Sequence, residues 1–520
     1  MTGVDCVAPH NGQATVSSAQ GTGASAVPGV RAAQLVDSLM DSSLYSAGNR
    51  VKPDLSCIVN PTSSTAPRSW PRRLVNRLEV DRATFYSIAA RGWQLAAGPV
   101  SMIVIALWFS EELQGYFYTF ASLMALQGLI ELGLHAVIIN VASHEWARLV
   151  RESDGRVTGD PIALARLARL TRLCFRWYGC AAALFALGVG PAGVLFFSRD
   201  ADDGVAWLAP WCALVALTSG VLWTWSLTAV LEGCNQMAAV HRVRLGQAVT
   251  GSLVVWACMI LGAGLWAAVA AVCVRLLWDA WLVGVAYRRM FQTLWRQPVT
   301  DATLDWREEV WPLQWRIGAR AIAGYFALNL FTPIMFHYHG SAEAGRMGMT
   351  WTALTAIEGA AFAWVQTRMA VFGMLAARRD FRELDRVFRR LLTISWIMLL
   401  CGSLVLCGGV IVLNLVPLDL ARKLSDRLLP LTPTVLFCAA VWLLHIPKCQ
   451  SIYLLAHKRD PLLIPGLLLT GLIALFVWLG GRDYGASGAA WGYLVVVAVL
   501  YVPLWTWIWF RCRREWHAER

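Results

Sequence analysis

Charged residues are scarce in this chain. Asp, Glu, Lys and Arg make up 15% of its 520 residues, whereas a soluble domain carries about 25%. That deficit excludes an ordinary water-facing surface. No long stretch alternates as a half-buried strand would, and none reads as a βαβ unit, so neither a sheet nor a barrel is expected. The 13 cysteines include no CxxC pair, and most lie inside apolar runs; neither a disulfide frame nor a zinc site is expected. Walker and other phosphate-cradling glycine motifs are missing. ATP is therefore not expected as a direct energy source, and no cofactor or metal is called for. Met1 opens a polar stretch with no apolar h-region, so the first spanning helix is expected to act as its own insertion signal.

Apolar length is what the chain has. Hydrophobic residues make up 57% of it and the mean hydropathy is +0.51. Apolar runs fall at 87–109, 116–142, 173–197, 205–231, 246–262, 265–286, 317–337, 347–375, 391–416, 429–454, 462–480 and 488–510. Each matches the length that crosses a bilayer, where a helix alone satisfies its own backbone. The expected fold is all-α and polytopic, with about twelve transmembrane helices. Residues 1–68 are rich in Ser, Ala, Gly, Thr and Pro and are expected to be a disordered cytoplasmic tail. Arg72, Arg73, Arg77 and Arg82 fall in a basic collar at 69–86. A first lobe is expected at 87–287, a linker at 288–316, a second lobe at 317–510 and a basic C-terminus at 511–520. Within the linker, 303–316 reads as an amphipathic lead-in at the membrane surface.

The net charge of +12 follows topology, not nucleic-acid binding. With the N-terminus in the cytoplasm, inner segments hold roughly thirty Lys and Arg and outer ones roughly six. Loops at 110–115, 198–204 and 481–487 are then outer, and 143–172 and 376–390 inner. Only 417–428, with Arg422, Lys423 and Arg427, departs from this pattern. Both termini are expected to be cytoplasmic, in a bacterial inner membrane. Trp207, Trp211, Trp306, Trp311 and Trp315 are expected near the interfaces.

The halves repeat. SEELQGYFYTFASLMALQG from Ser110 corresponds to SAEAGRMGMTWTALTAIEG from Ser341. CNQMAAVHRVR from Cys234 corresponds to CQSIYLLAHKR from Cys449, and Ala90-Arg91 to Ala319-Arg320. Matches in the same order and direction imply two six-helix lobes related by an axis along the membrane normal. The ELQGYFYTFASL turn, LEGCNQ at 231–236 and EEVWPLQWRIGAR at 308–320 resemble the polysaccharide-transporter branch of the multidrug/oligosaccharidyl-lipid/polysaccharide (MOP) exporter superfamily. The resemblance covers about 87–510. It implies a central cavity, alternating access and export of a lipid-linked oligosaccharide, with membrane lipids and polysaccharide-assembly proteins as further partners and no enzymatic activity. A cation-coupled multidrug exporter of the same architecture is the alternative. A membrane glycosyl transferase or polymerase ranks lower, because the outer loops are short.

Ionisable groups within a bilayer need an explanation. Arg91 and Arg320 occupy matching places and, with Gln94, could hold a diphosphate bidentately; headgroup snorkelling is the plainer reading. Gln127, Glu131 and His135 are spaced by four on one helix face. They read either as a coupling patch or as polar packing contacts, as do Glu358 and Gln366. Arg275 and Asp279 read as a structural ion pair, and His445 as a hydrogen-bonded packing histidine.

Overall fold

A computed structural model describes residues 82–131, 133–199, 204–298, 311–457 and 461–518, and every structural statement below concerns these. The tail at 1–68, most of the collar, Trp306 and the linker segment 303–310 lie outside the described residues, as does the side chain of Arg320.

The chain is a helical membrane protein built from two six-helix halves. In the N half, α1 is Arg82–Trp108 and α2 is Glu111–Met124, followed by α3 (Gln127–Glu131) and α4 (Leu134–Trp146). A short hairpin, β1 (Leu149–Arg151) and β2 (Val157–Gly159), pairs antiparallel with Val150 opposite Thr158. Then come α5 (Pro161–Ser198), α6 (Leu208–Gly233), α7 (Met237–Ile260) and α8 (Trp266–Trp281), a π-helical turn at Leu282–Ala286, and α9 (Arg288–Arg296). The C half has α10 (Trp311–Leu328), α11 (Phe331–His339), α12 (Ser341–Gln366), α13 (Met369–Ala377), α14 (Phe381–Leu415) and α15 (Asp419–Asp426). It ends with α16 (Leu431–Leu455), α17 (Leu463–Val496), a π-helical turn at Val497–Tyr501 and α18 (Val502–Ala518).

Among the described residues nine helices are individually long and apolar enough to span a membrane, ten if the bent 111–146 pair is one span. The stretch 463–518 is 56 residues long, enough for two crossings at about 20 residues each. It breaks at Gly485, whose φ of 61° suits glycine. The α10–α11 pair supplies the remaining span. Expected turns are visible in the backbone: Gly262 and Gly264 both adopt positive φ between α7 and α8. Side-chain caps start several helices. Ser110 accepts from the Leu113 N–H at 3.2 Å, and Asp160 accepts from Ile162 and Ala163 ahead of α5, whose first residue is Pro161.

The halves join at one end. There α2 crosses α12, the two copies of the sequence repeat. A Cβ on Gly115 would lie 1.9 Å from the Ser341 carbonyl oxygen, and one on Gly348 would lie 2.4 Å from Tyr118 Cβ. Backbone therefore meets backbone, as small residues permit between membrane helices. Gln114, 1% exposed, donates to the carbonyls of Gly345 at 2.8 Å and Arg427 at 3.2 Å. Arg346 pairs with Glu111 at 3.1 Å and donates to Asp426 O at 2.9 Å. Arg427 donates to the Phe109 carbonyl. The lysine- and arginine-bearing segment that departs from the charge pattern is thus partly structural: Arg427 bolts the C half to the end of α1. Its burial lowers the guanidinium pKa, against the raising effect of Glu111, Glu112 and Asp426.

An aromatic plug lies beneath this seam. Tyr116 and Phe197 from the N half close around Phe336 of α11, with Tyr116–Phe336 centroids 4.9 Å apart and Phe197–Phe336 5.3 Å, and Trp211 packs behind Phe197. Trp211 is fully buried here and donates to Gly190 O. It is a core residue, not the interfacial anchor its position suggested, because Gly193 leaves room for its ring; Trp315 is exposed. A second contact joins the halves away from this seam: α10 packs on α3 and α4, and the Tyr325 hydroxyl donates to Ser122 O at 3.1 Å. Gly115→Ala should lower the thermal unfolding midpoint in detergent by the equivalent of about 1–3 kcal/mol of overpacking. Gly251→Ala, with nothing within 4 Å of the added methyl, should not lower it; equal effects would contradict the seam.

Candidate functional site

The polar groups of each half gather between its second and fourth spanning helices. In the N half the helix carrying Gln127, Glu131 and His135 is interrupted. Gly133 adopts φ 68°, and the 111–129 and 134–146 segments bend by 45°. The face is bent, yet Glu131 still accepts a hydrogen bond from the His135 backbone N–H. Glu131 Oε1 lies 3.3 Å from the Tyr178 hydroxyl of α5, which donates to it. His135 Nε2 lies 3.5 Å from Glu232 Oε2 at the end of α6. Gln127 Oε1 is buried without a hydrogen bond. The break at Gly133 thus bends the face without parting Glu131 from His135.

Glu232 is the centre of this half. It is 7% exposed and is held by Arg244 of α7 as well as by His135. Tyr287 donates to Gln236 Oε1 at 2.9 Å, tying the end of α6 to the π-helical turn. Arg275 and Asp279 do not close on each other as an ion pair among the described residues. Asp279 accepts from Gln247 Nε2 at 2.8 Å, and the same amide donates to Arg275 O at 3.3 Å. The Arg275 guanidinium lies over the Trp225 ring at 5.1 Å. Gln247 of α7 and an indole face add to the attraction between the two charges, which still act on each other beyond direct contact.

Arg91 stands apart. It is exposed on α1 and has no carboxylate within ion-pair distance among the described residues. Its charge nevertheless acts on His241 of α7, as does that of Arg244. The helix begins at Arg82, ahead of the apolar run, so Arg91 is about 13 Å along its axis but about one turn inside the run that starts at 87. Gln94 is exposed one turn further. Arg320 lies on α10, and its side chain is outside the described residues.

The C half repeats the arrangement with the charges exchanged. Here α12 supplies the carboxylate, Glu358, and α16 supplies the cations. Lys448 Nζ donates to both Glu358 oxygens at 2.7 and 2.8 Å and lies 4.4 Å from the Phe362 ring centre. His445 Nδ1 is 3.5 Å from Glu358 Oε1. Gln366 is exposed at the end of α12 and does not join Glu358 in this cluster. His445, expected as a packing histidine, is buried as expected but contacts a carboxylate as well. Each half thus holds a carboxylate, a histidine and a long cation between its second and fourth spans: His135, Glu232 and Arg244 in one, Glu358, His445 and Lys448 in the other. Glu232, Arg244 and Lys448 were not singled out from sequence. The signal was present, since Glu232 and Lys448 lie immediately ahead of the repeated CNQ and CQS motifs.

Two further cavities, of about 260 and 330 Å³, lie elsewhere. The first is lined by Leu463, Gly466 and Trp505, the second by His339, Pro430 and Tyr484. Neither contains the charged trios, and the first is greasy. Among the described residues no cluster could hold a metal ion.

The architecture matches known transporters. The chain superposes on an inward-facing multidrug resistance MATE family transporter of the MOP superfamily with a TM-score of 0.56 and 14% identity, covering 83% of this chain and 96% of that one. The chain shares the fold of that transporter. The lipid II flippase MurJ in an inward closed conformation gives a TM-score of 0.51 at 10% identity, over 82% of this chain and 87% of that one. An outward-facing MATE family transporter gives 0.50 at 11%, over 86% and 99%. No family model matches the sequence, and no curated protein matches it significantly. That shared fold accounts for the two halves.

The Glu232–Arg244 contact should behave as a coupled buried pair. Glu232→Leu and Arg244→Met should each lower thermal stability in detergent. The double variant should recover most of the loss, giving a coupling of about 1–3 kcal/mol. Additive losses would show that the two groups do not depend on each other.

Proposed function

We propose that this chain moves a lipid-linked oligosaccharide across a bacterial inner membrane by alternating access, as a member of the polysaccharide-transporter branch of the MOP superfamily. The observation that carries this reading is Arg91. It is an exposed guanidinium well inside α1, without a carboxylate partner among the described residues and with Arg244 and His241 nearby. A charge at that depth facing lipid would be costly. Facing the space between the halves, it offers a planar fork to phosphate oxygens. No Asp or Glu occurs anywhere in α1, so this helix suits an anion better than a cation. Arg320 is proposed as its counterpart on sequence grounds, with Gln94 beside Arg91.

The arginine asymmetry supports sidedness: the sealed seam faces the periplasm, and the opposite end and both termini face the cytoplasm. A diphosphate-bearing lipid would then enter from the side where such substrates are assembled. A multidrug exporter is the second reading, favoured by Glu131. This half-buried carboxylate has Tyr178 as its side-chain hydrogen-bond donor, and it could exchange a proton or bind a cation. Polysaccharide-assembly proteins are proposed partners on the strength of the same function.

In a strain lacking the native gene, Arg91→Ala/Arg320→Ala should reduce surface polysaccharide at least tenfold, normalised to the protein present in the membrane. Arg91→Lys should restore it in part, because an ammonium keeps the charge but not the fork. Arg176→Ala removes an exposed arginine of α5 and should leave export near normal. Full export by the double variant would eliminate the site.

A further inference from the structure

Hydrogen bonding around His445 fixes where its proton sits. The Ser395 hydroxyl lies 2.7 Å from the Ala361 carbonyl and 2.6 Å from His445 Nε2. A hydroxyl has one proton, and a carbonyl can only accept. The Ser395 proton therefore goes to Ala361, and Nε2 must carry the ring N–H that donates to Ser395 Oγ, an assignment made from the network. The Cys449 sulfur, 3.5 Å away, faces the same nitrogen.

Nδ1 is left without a hydrogen bond, although it is buried on a residue 1% exposed. In a neutral ring protonated at Nε2, it presents a lone pair. The group it faces, 3.5 Å away, is Glu358 Oε1, which also presents lone pairs. Two acceptors pointing at each other in a buried site repel unless one takes a proton. The contact is built for a proton that neither group holds in its ordinary neutral-pH form.

We propose that His445 Nδ1 and Glu358 form a proton-binding site in the C half. One proton converts a neutral Glu358–Lys448 pair beside a neutral histidine into a His445–Glu358–Lys448 cluster with one net positive charge. The other titratable groups near Glu358 are Cys449 on α16 and Tyr493 on α17, with Tyr501 behind Tyr493; each is neutral in its ordinary form at pH 7, so Lys448 is the only neighbouring full charge among them. The Lys448 side chain is 43% exposed. Once Glu358 is shared with an imidazolium, the ammonium is freer to meet an anion. Proton and anionic substrate then favour each other's binding, by the reciprocity of linked sites; this last step rests on the anionic-substrate reading above, and the proton site does not.

The test is ¹⁵N-histidine NMR on the full chain in lipid nanodiscs, with the His445 signal assigned by its loss in His445→Gln. At high pH the signal should be that of the Nε2–H tautomer, becoming imidazolium on acidification. Glu358→Gln should lower that midpoint by about one pH unit or more, and Lys448→Gln should raise it. An Nδ1–H tautomer, no titration between about pH 4 and pH 9, or an unchanged midpoint in Glu358→Gln would each overturn the site. The first two outcomes are read on the unaltered protein and need only the assignment variant to fold, so they stand even if Glu358→Gln or Lys448→Gln does not. Dodecyl diphosphate added as a probe should raise the midpoint, and not in Lys448→Gln. A titrating His445 whose midpoint ignores the probe would keep the proton site and remove its link to an anionic substrate.

Discussion

The close crossing of α2 and α12 is the constraint on which the arrangement of the two halves depends. A bilayer supplies no hydrophobic drive between helices, since lipid tails are as apolar as leucine. Two bundles stay together only through dispersion, hydrogen bonds and ion pairs where backbones come near. Gly115 and Gly348 permit that approach. Gln114, Arg346 and Arg427 then tie the facing carbonyls and carboxylates together, and Tyr116 and Phe336 fill the space below. A smaller contact, α10 against α3 and α4 with Tyr325 donating to Ser122 O, adds to this seam.

The paired trios extend the repeat from backbone to charge. In the N half the carboxylate rises from the fourth span and is held by His135 and Arg244; in the C half it rises from the second and is held by His445 and Lys448. Each trio joins neighbouring helices that would otherwise share only apolar contacts. Each also removes most of the cost of a carboxylate inside the membrane while leaving its cation partly exposed. On the proposed function, the half-exposed cations and Arg91 would give the space between the halves a basic character. That character distinguishes this chain's reading from a carrier of cations more than the fold does.

Much of this was legible in the sequence, for a physical reason. A lipid-exposed backbone has one solution, so apolar runs of spanning length had to be helices. The Ser110 and Ser341 motifs matched because both build the seam. What spacing could not reveal is where a helix breaks. Gly133 is one of 42 glycines, and nothing local marks it as the residue with positive φ that bends the helix between Glu131 and His135. Arg275 and Asp279 have the right separation for a pair, yet their direct contacts are with Gln247 and Trp225, from other helices. Glu232, Arg244 and Lys448 went unremarked because each lies near a helix end, where a charge is ordinary; their partners are distant in sequence. Trp211 belongs to the core because Gly193, 18 residues before it, leaves a space of its size.

The identity of the cargo is the central claim, and leaflet exchange in reconstituted vesicles tests it most directly. Purified protein in liposomes would be given either a fluorescent polyprenyl diphosphate sugar or a cationic dye such as ethidium. The expected result is protein-dependent exchange of the diphosphate lipid between leaflets, with no transport of the dye under an imposed proton gradient. Dye movement with an immobile diphosphate lipid would contradict the anionic-substrate reading and favour the drug exporter.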